Sequence, residues 1–262
     1  MKIAVCLSGQ PRSIEYATNS TLNYFNSSEY EVDYFCHVWD YNTWKCKGDV
    51  KIMYSGYEPV DNTWLYDQIH RYNPKKFLID YYAKLYPHLS YVPWGSLFYS
   101  MMYANLMKCE YEIENNFKYD YVVKSRYDLV FPPDRKFSPE PEIKERHLYF
   151  NHAGRMHYRY NIINASDPIF YGDSWGMDII ADSFFEIKQF YDMPYNKRAD
   201  QLGGHDPGTF ISQLANKYNV IIDIDRRNPG DTIYRKEMLG TDPFTDFDKL
   251  FKNHHSYYQP IV

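Results

Sequence analysis

Two short polar segments each follow an apolar run that is typical of a buried strand, and both contain an arginine. They are SGQPRS at residues 8–13 and SRYD at residues 125–128. A glycine lets the backbone approach a ligand closely, and an arginine can bind a diphosphate through two hydrogen bonds. An aspartate in such a position can hold a divalent cation. Both segments therefore suggest phosphate binding, while an ordinary turn with a surface ion pair is the alternative.

A carboxylate in HDPGTF, Asp206, directly precedes Pro207. Asp followed by Pro is typical of a helix start, where the aspartate caps the helix. The same residue suits a general base that faces an acceptor hydroxyl. A helix N-terminus favours the ionised carboxylate that a base requires. The two interpretations are therefore compatible.

Two further pairs of residues offer chemistry of their own. Asp173 and Trp175 in YGDSWG place a carboxylate beside an indole. This combination can hold a sugar by hydrogen bonds and ring stacking, although core packing explains Trp175 equally well. His254 and His255 lie near the last residue. A histidine there can complete a metal site, and an exposed tail is the alternative.

These residues must be positioned by strands that alternate with helices. Such alternation predicts an α/β fold with a largely parallel sheet, in which ligands bind beyond the carboxyl ends of the strands. Both arginine-containing segments stand at such ends. The predicted strands cover residues 2–7, 32–39, 76–80, 147–151, 168–172 and 220–225, with another inside 119–131. The predicted helices cover residues 13–25, 64–72, 95–117 and 175–191, and a last one starts at residue 207.

Composition excludes several classes of protein. The chain has 262 residues, 44% hydrophobic and 19% aromatic, which suffices for a packed core. Its net charge of −5 comes without a basic stripe, so we expect no nucleic-acid polymer as partner. No apolar run approaches the ~18 residues of a membrane span. Four scattered cysteines, with Cys6 and Cys36 inside strand-like runs, indicate a reducing compartment, and we expect a cytoplasmic protein.

The order of these segments resembles a known family. LSGQPR, FCHVWD, YDYVVKSRYDLVF, DPIFYGDSWGM, HDPGTF and a terminal histidine follow one another as in small GT-A-type glycosyltransferases, in particular those of large algal (chlorella) viruses. SRYD stands where that fold carries its DxD metal motif, with Arg126 in place of the first acidic residue. The resemblance implies one GT-A-like domain over residues 1–262, with a Rossmann-related sheet flanked by helices.

The resemblance also implies roles for the candidate residues. It implies an inverting transfer from a nucleotide-sugar donor, a UDP-sugar such as UDP-xylose or UDP-glucose, to a glycan or glycoprotein acceptor. The nucleotide and its phosphates would be contacted by Ser8, Gly9, Gln10, Arg12 and Arg126. The metal ion, Mn²⁺ or Mg²⁺, would be held by Asp128 with His254 or His255. The sugar or acceptor pocket would be lined by Asp173 and Trp175, and Asp206 would be the base. In a retaining enzyme, Asp206 would lose that role.

Other functions fit the sequence less well or differ in one step. A non-catalytic carbohydrate- or nucleotide-binding module on the same fold is the main alternative, because SRYD has one acidic residue rather than two. A sugar nucleotidyltransferase normally opens with a longer glycine-rich loop followed by a lysine, and SGQPRS has neither. A dinucleotide-binding enzyme is disfavoured because GxGxxG is missing.

Overall fold

The computed structural model describes residues 1–42, 58–81, 95–150, 169–192, 207–225 and 232–233. Within them, helices and strands are interspersed along the chain. The strands are β1 Lys2–Gly9, β2 Glu31–Trp39, β3 Tyr41–Asn42, β4 Glu58–Pro59, β5 Lys76–Asp80, β6 Tyr121–Ser125, β7 Leu129–Val130, β8 His147–Phe150, β9 Phe170–Gly172, β10 Ile221–Ile224 and β11 Thr232–Ile233. The helices are α1 Ile14–Phe25, α2 Asn62–His70, α3 Gly95–Asn115, α4 Ser174–Ala181, α5 Ser183–Asp192 and α6 Pro207–Lys217.

Seven strands form the central sheet in the order β10-β8-β9-β6-β1-β2-β5. Every neighbouring pair is parallel except the two pairs that include β9, which runs antiparallel to both β6 and β8. The predicted α/β fold with a mostly parallel sheet is therefore confirmed. Two small antiparallel pairs, β3 with β4 and β7 with β11, lie outside this sheet.

Residues 3–7 of β1 are apolar and buried because helices cover both faces of the strand. Ile3, Val5 and Leu7 belong to the cluster that includes side chains of α1 and α2. Ala4 and Cys6 belong to the opposite cluster, which α3 fills with phenylalanine and methionine side chains. Each large apolar side chain buried in this way contributes roughly 1.5–3 kcal/mol to folding. The helices and the sheet thus form three layers, and the loops lie at the two ends of the strands.

One predicted element differs from the structure. The helix expected over residues 175–191 is two helices, α4 and α5, which are separated at Asp182. The backbone N–H of Asp182 still donates to the carbonyl of Asp178, and its own carbonyl accepts from Phe185 N–H. Asp182 has ψ −4°, so its peptide turns away from the α-helical direction.

Two predictions from composition can be compared with the described part of the chain. Cys6 and Cys36 are buried free thiols, as expected, and Cys46 lies outside the described residues. None of the described helices is both long enough and apolar enough to cross a bilayer.

Candidate functional site

The two arginine-containing segments lie side by side at the carboxyl edge of the sheet. Strand β1 is central in the sheet: β2 and then β5 lie on one side of it, and β6 lies on the other. Leu7 lies opposite Ser125 in the parallel register of β1 and β6, so residues 8–13 and 126–128 begin next to each other. A reversal of strand order opens a crevice at the carboxyl ends, where α/β proteins bind ligands.

The loop after β1 has left-handed backbone conformations at both of its ends. Gly9 has φ +124°, a conformation that residues with a side chain rarely adopt. Ser13 precedes α1 with φ +53°, and its hydroxyl does not cap the helix. The hydroxyl oxygens of Ser8 and Ser13 are buried and have no hydrogen-bond partner within the described part of the chain. A helix N-terminus with nearby hydroxyl donors is suited to a phosphate.

The segment after β6 carries a buried ion pair. Arg126 donates from Nε to Asp128 Oδ1 at 2.8 Å and from Nη2 to Asp128 Oδ2 at 2.7 Å. The Asp128 side chain is 2% exposed and the Arg126 side chain 18% exposed. The guanidinium is therefore the part of the pair that solvent or a ligand can reach.

Tyr127 fixes this segment against the sheet. Its ring is fully buried, and its hydroxyl lies 3.3 Å from the carbonyl oxygens of both Leu7 and His37. The side chain thus joins the carboxyl ends of β1 and β2 to the segment after β6. Burial raises the pKa of Tyr127 well above its ordinary value, so the hydroxyl keeps its proton and can donate.

Gln10 links the loop after β1 to the end of β2. Its Nε2 donates to the Tyr41 hydroxyl at 2.9 Å. The neighbouring backbone is tied down as well, because Asp40 N–H donates to the carbonyl of Asp80, and Val60 N–H donates to the carbonyl of Asp40. The carboxyl ends of β1, β2 and β5 therefore form one connected rim around the crevice.

Sequence reasoning missed a buried Ser–His–Asp arrangement at this rim. His37 Nδ1 lies 2.7 Å from Ser100 Oγ, and His37 Nε2 lies 3.0 Å from Asp80 Oδ2. These residue types perform nucleophilic catalysis in hydrolases, but Ser100 and His37 are completely buried. Because the Ser100 hydroxyl is buried and already bonded to the imidazole, we interpret the arrangement as structural: it fastens α3 to β2 and β5. In the sequence, the only signal was a histidine inside the apolar run FCHVW.

The protonation of His37 follows from its surroundings. Burial lowers the pKa of His37 below its ordinary value, although the hydrogen bond to Asp80 acts in the other direction. Burial, the largest single influence, would raise the pKa of Asp80, but the interactions with His37 and a hydrogen bond with Tyr99 together outweigh it, and the pKa lies below the usual range. We therefore assign a neutral imidazole that donates from Nε2 to an ionised Asp80 and accepts from Ser100 at Nδ1.

Asp173 and Trp175 lie at the opposite edge of the sheet from Gly9 and Asp128. Because β9 is antiparallel, Gly172 at its end pairs with Val122 near the start of β6. Asp173 caps α4 by accepting from Gly176 N–H at 3.3 Å, and burial raises its pKa. The resemblance implied that this pair shares a site with the arginine-containing segments. The structure instead places the pair at the other edge of the sheet.

Trp175 has a partner of its own at this amino edge. Its indole is 43% exposed, and the guanidinium carbon of Arg146 lies 4.4 Å from the ring centroid. Such a cation–π contact at an exposed site is worth about 0.5–1 kcal/mol. The indole thus has a structural explanation that needs no sugar.

Three of the predicted site residues cannot be placed. Asp206, His254 and His255 lie outside the described residues. Helix α6 nevertheless begins at Pro207, directly after Asp206 in the sequence. The ring of Phe210 contacts that of Phe98 in the first turn of α3, with centroids 5.2 Å apart. The start of α6 therefore lies towards the carboxyl edge.

One group of three metal-ligand types exists in the described part of the chain, and it lies elsewhere. Cys109, Glu112 and Asp178 have their ligand atoms within 4.8 Å of one another. Lys108 Nζ lies between them, 3.1 Å from Glu112 Oε2 and 2.7 Å from Asp178 Oδ1. An ammonium ion thus stands where a metal ion would, and we interpret the group as a buried ion-pair network.

The comparisons with known proteins add no relative to this picture. No protein-family model and no curated protein matches the chain.

Proposed function

We propose that this protein is a glycosyltransferase that binds a nucleotide-diphosphate sugar at the crevice between β1 and β6. The observation that carries the proposal is the register of Leu7 opposite Ser125, because it places SGQPRS and SRYD next to each other. Neither segment alone indicates phosphate strongly. Together they offer Arg12, Arg126, the buried hydroxyls of Ser8 and Ser125, and the start of α1.

A GT-A-like fold, as the resemblance implies, is part of this proposal. It is supported by the α/β sheet and by the location of SRYD at the carboxyl end of a central strand. We propose Asp206 as the base of an inverting reaction, since α6 begins at Pro207 towards the same edge as the crevice. The acceptor would be a glycan or glycoprotein hydroxyl, and the exposed ring of Tyr81 after β5 offers a stacking surface at this edge.

The first test is a thermal-shift panel with UDP, GDP and CMP. A ligand at ~100 times its dissociation constant adds about 2.7 kcal/mol to stability. Each kcal/mol raises the midpoint by roughly 2–4 °C in a chain of this size, so we expect UDP to raise it by several degrees. Arg12→Met should reduce the shift, whereas Arg135→Met, at an exposed turn near the other edge, should not. A flat panel would refute the nucleotide site.

Turnover is tested separately with a panel of UDP-sugars that includes UDP-xylose and UDP-glucose. We expect release of UDP in the presence of a glycan acceptor. Asp206→Asn should abolish turnover and retain UDP binding. A non-catalytic module remains the second candidate, because both oxygens of Asp128 are already engaged by Arg126. Glycan binding on an array without any donor turnover would favour the module.

A further inference from the structure

The surroundings of Asp128 do not fit the metal site that the resemblance implies. Both of its carboxylate oxygens accept hydrogen bonds from one guanidinium, at 2.8 and 2.7 Å. A divalent cation requires a carboxylate oxygen at about 2.0–2.6 Å, and a guanidinium held on the same oxygens would repel it. Among the described residues, no group of three metal-ligand side chains includes Asp128.

We propose that Arg126, oriented by Asp128, neutralises the diphosphate of the donor, and that binding of the nucleotide needs no divalent cation. The inference rests on the nucleotide site proposed above and names the group that provides its positive charge. In it, Asp128 is a positioning residue and contacts the ligand only through Arg126.

The geometry of the pair supports this direction of binding. The carboxylate is 2% exposed and the guanidinium side chain 18% exposed, so an approaching anion meets the positive member first. Asp128 accepts hydrogen bonds from Nε and Nη2 of the guanidinium. Holding the guanidinium by two parallel hydrogen bonds fixes its plane, which is the arrangement that favours a second bidentate contact with phosphate.

The neighbouring groups are also those of an anion site. Ser125 Oγ and Ser8 Oγ are buried and have no hydrogen-bond partner within the described ranges. Hydroxyls can donate to phosphate oxygens without bringing a charge. Tyr127 holds the segment in place through the carbonyls of Leu7 and His37. Ser8 and Ser125 thus stand near the carboxyl ends of β1 and β6, at the same edge of the sheet as Arg126.

The test is calorimetric titration of UDP into the full chain, once with excess EDTA and once with saturating Mn²⁺. We expect dissociation constants that agree within about threefold. Arg126→Met should weaken binding roughly 10- to 100-fold, the loss of one charge-assisted contact. The dissociation constant of Arg126→Lys should fall between those of the wild type and Arg126→Met, because an ammonium keeps the charge but cannot make the two parallel hydrogen bonds of a guanidinium. Arg135→Met is the matched control and should leave the dissociation constant unchanged.

A second variant covers the risk that Arg126→Met leaves Asp128 buried without its partner and fails to fold. Arg126→Met combined with Asp128→Asn removes both charges, and it should fold and still lose UDP binding. Wild-type affinity in this double variant would overturn the inference. UDP binding that requires Mn²⁺ and is lost in Asp128→Asn would overturn it too, while leaving the nucleotide site intact. An absence of UDP binding under both conditions would refute the nucleotide site itself.

Discussion

The Nζ atom of Lys108 on α3 lies 2.7 Å from Oδ1 of Asp178 on α4, and the lysine side chain is completely buried. The ammonium also contacts Glu112 Oε2 at 3.1 Å and Ser174 Oγ at 2.8 Å. Burial alone would lower the pKa of Lys108, but the two carboxylates, Asp178 foremost, raise it above its ordinary value. The ion pair thus holds the two helices together at the amino edge of the sheet.

Lys108→Met should lower the free energy of unfolding by about 3–5 kcal/mol, because it removes the buried cation from two carboxylates. Lys118→Met is the comparison: Lys118 Nζ lies 2.7 Å from Glu112 Oε2, but its side chain is 63% exposed. Because the Lys118 ammonium is largely solvated and the buried Glu112 keeps Lys108 as a second cation, we expect a smaller loss of about 0–1 kcal/mol in Lys118→Met. Urea unfolding at neutral pH measures both. Equal losses in the two variants would contradict the assigned role of Lys108.

His37 should make stability depend on pH. Burial lowers the pKa of His37 in the folded state below its ordinary value of about 6.5, so the unfolded chain binds the proton more readily. The contribution is therefore complete above pH ~6.5 and decreases as the pH falls below it. Urea midpoints at pH 7.5 and 5.5 should differ less in His37→Asn than in the wild type. The control is His70→Asn, because His70 is exposed. If His70→Asn lost the pH dependence and His37→Asn kept it, the effect would not come from His37.

Two glycines should respond differently to alanine. At Gly9 the added Cβ meets no atom within 4 Å, so the cost of about 1–3 kcal/mol comes from φ +124° alone. At Gly172 the Cβ would clash with the carbonyl oxygen of His147 and lie 2.7 Å from Leu148 Cδ2, which forces β8 and β9 apart. We expect Gly172→Ala to be the less stable variant in thermal unfolding. Only Gly9→Ala should also weaken UDP binding in calorimetry.

Asp173→Ala should destabilise the protein without affecting the nucleotide. Loss of an N-cap costs about 0.5–2 kcal/mol, and Asp173 lies across the sheet from Gly9. The midpoint of thermal unfolding should therefore fall, while the dissociation constant of UDP in the folded protein stays the same. Asp61→Ala provides a matched cap, because Asp61 accepts from Trp64 N–H at 2.7 Å at the start of α2. A UDP affinity that falls only in Asp173→Ala would place Asp173 in the binding site after all.

The sequence predicted the sheet well because its signals are local. KIAVCL and VDYFCHVW are short, mostly apolar runs, a pattern typical of strands that are covered on both faces. Their carboxyl ends also followed from the pattern, so the segments around Gly9 and Asp128 were correctly expected at the carboxyl edge of the sheet. What the sequence could not predict was strand direction. The short run PIFYG has the same composition whether parallel or antiparallel, and its reversal moves Asp173 to the other edge.

The sequence also did not predict which side chains pair with one another. Arg126 and Asp128 are two residues apart, and whether such a pair closes on itself or opens towards a ligand depends on the backbone after β6. The partners of His37 come from β5 and α3, and no spacing in the sequence connects them. Lys108 and Asp178 are separated by 70 residues. Contacts of this kind arise only when the layers are assembled.

The reversal of β9 has an electrostatic consequence for a chain whose net charge is −5. Helices that lead from one parallel strand to the next start at the carboxyl edge, so α1, α2, α3 and α6 direct the positive ends of their dipoles towards it. Helix α4 follows the reversed strand and directs its positive end to the amino edge, where Asp173 caps it. An anion that the molecule repels at long range is therefore attracted locally by the four helix N-termini at the carboxyl edge. Raising the ionic strength would weaken both effects, with the long-range repulsion screened first.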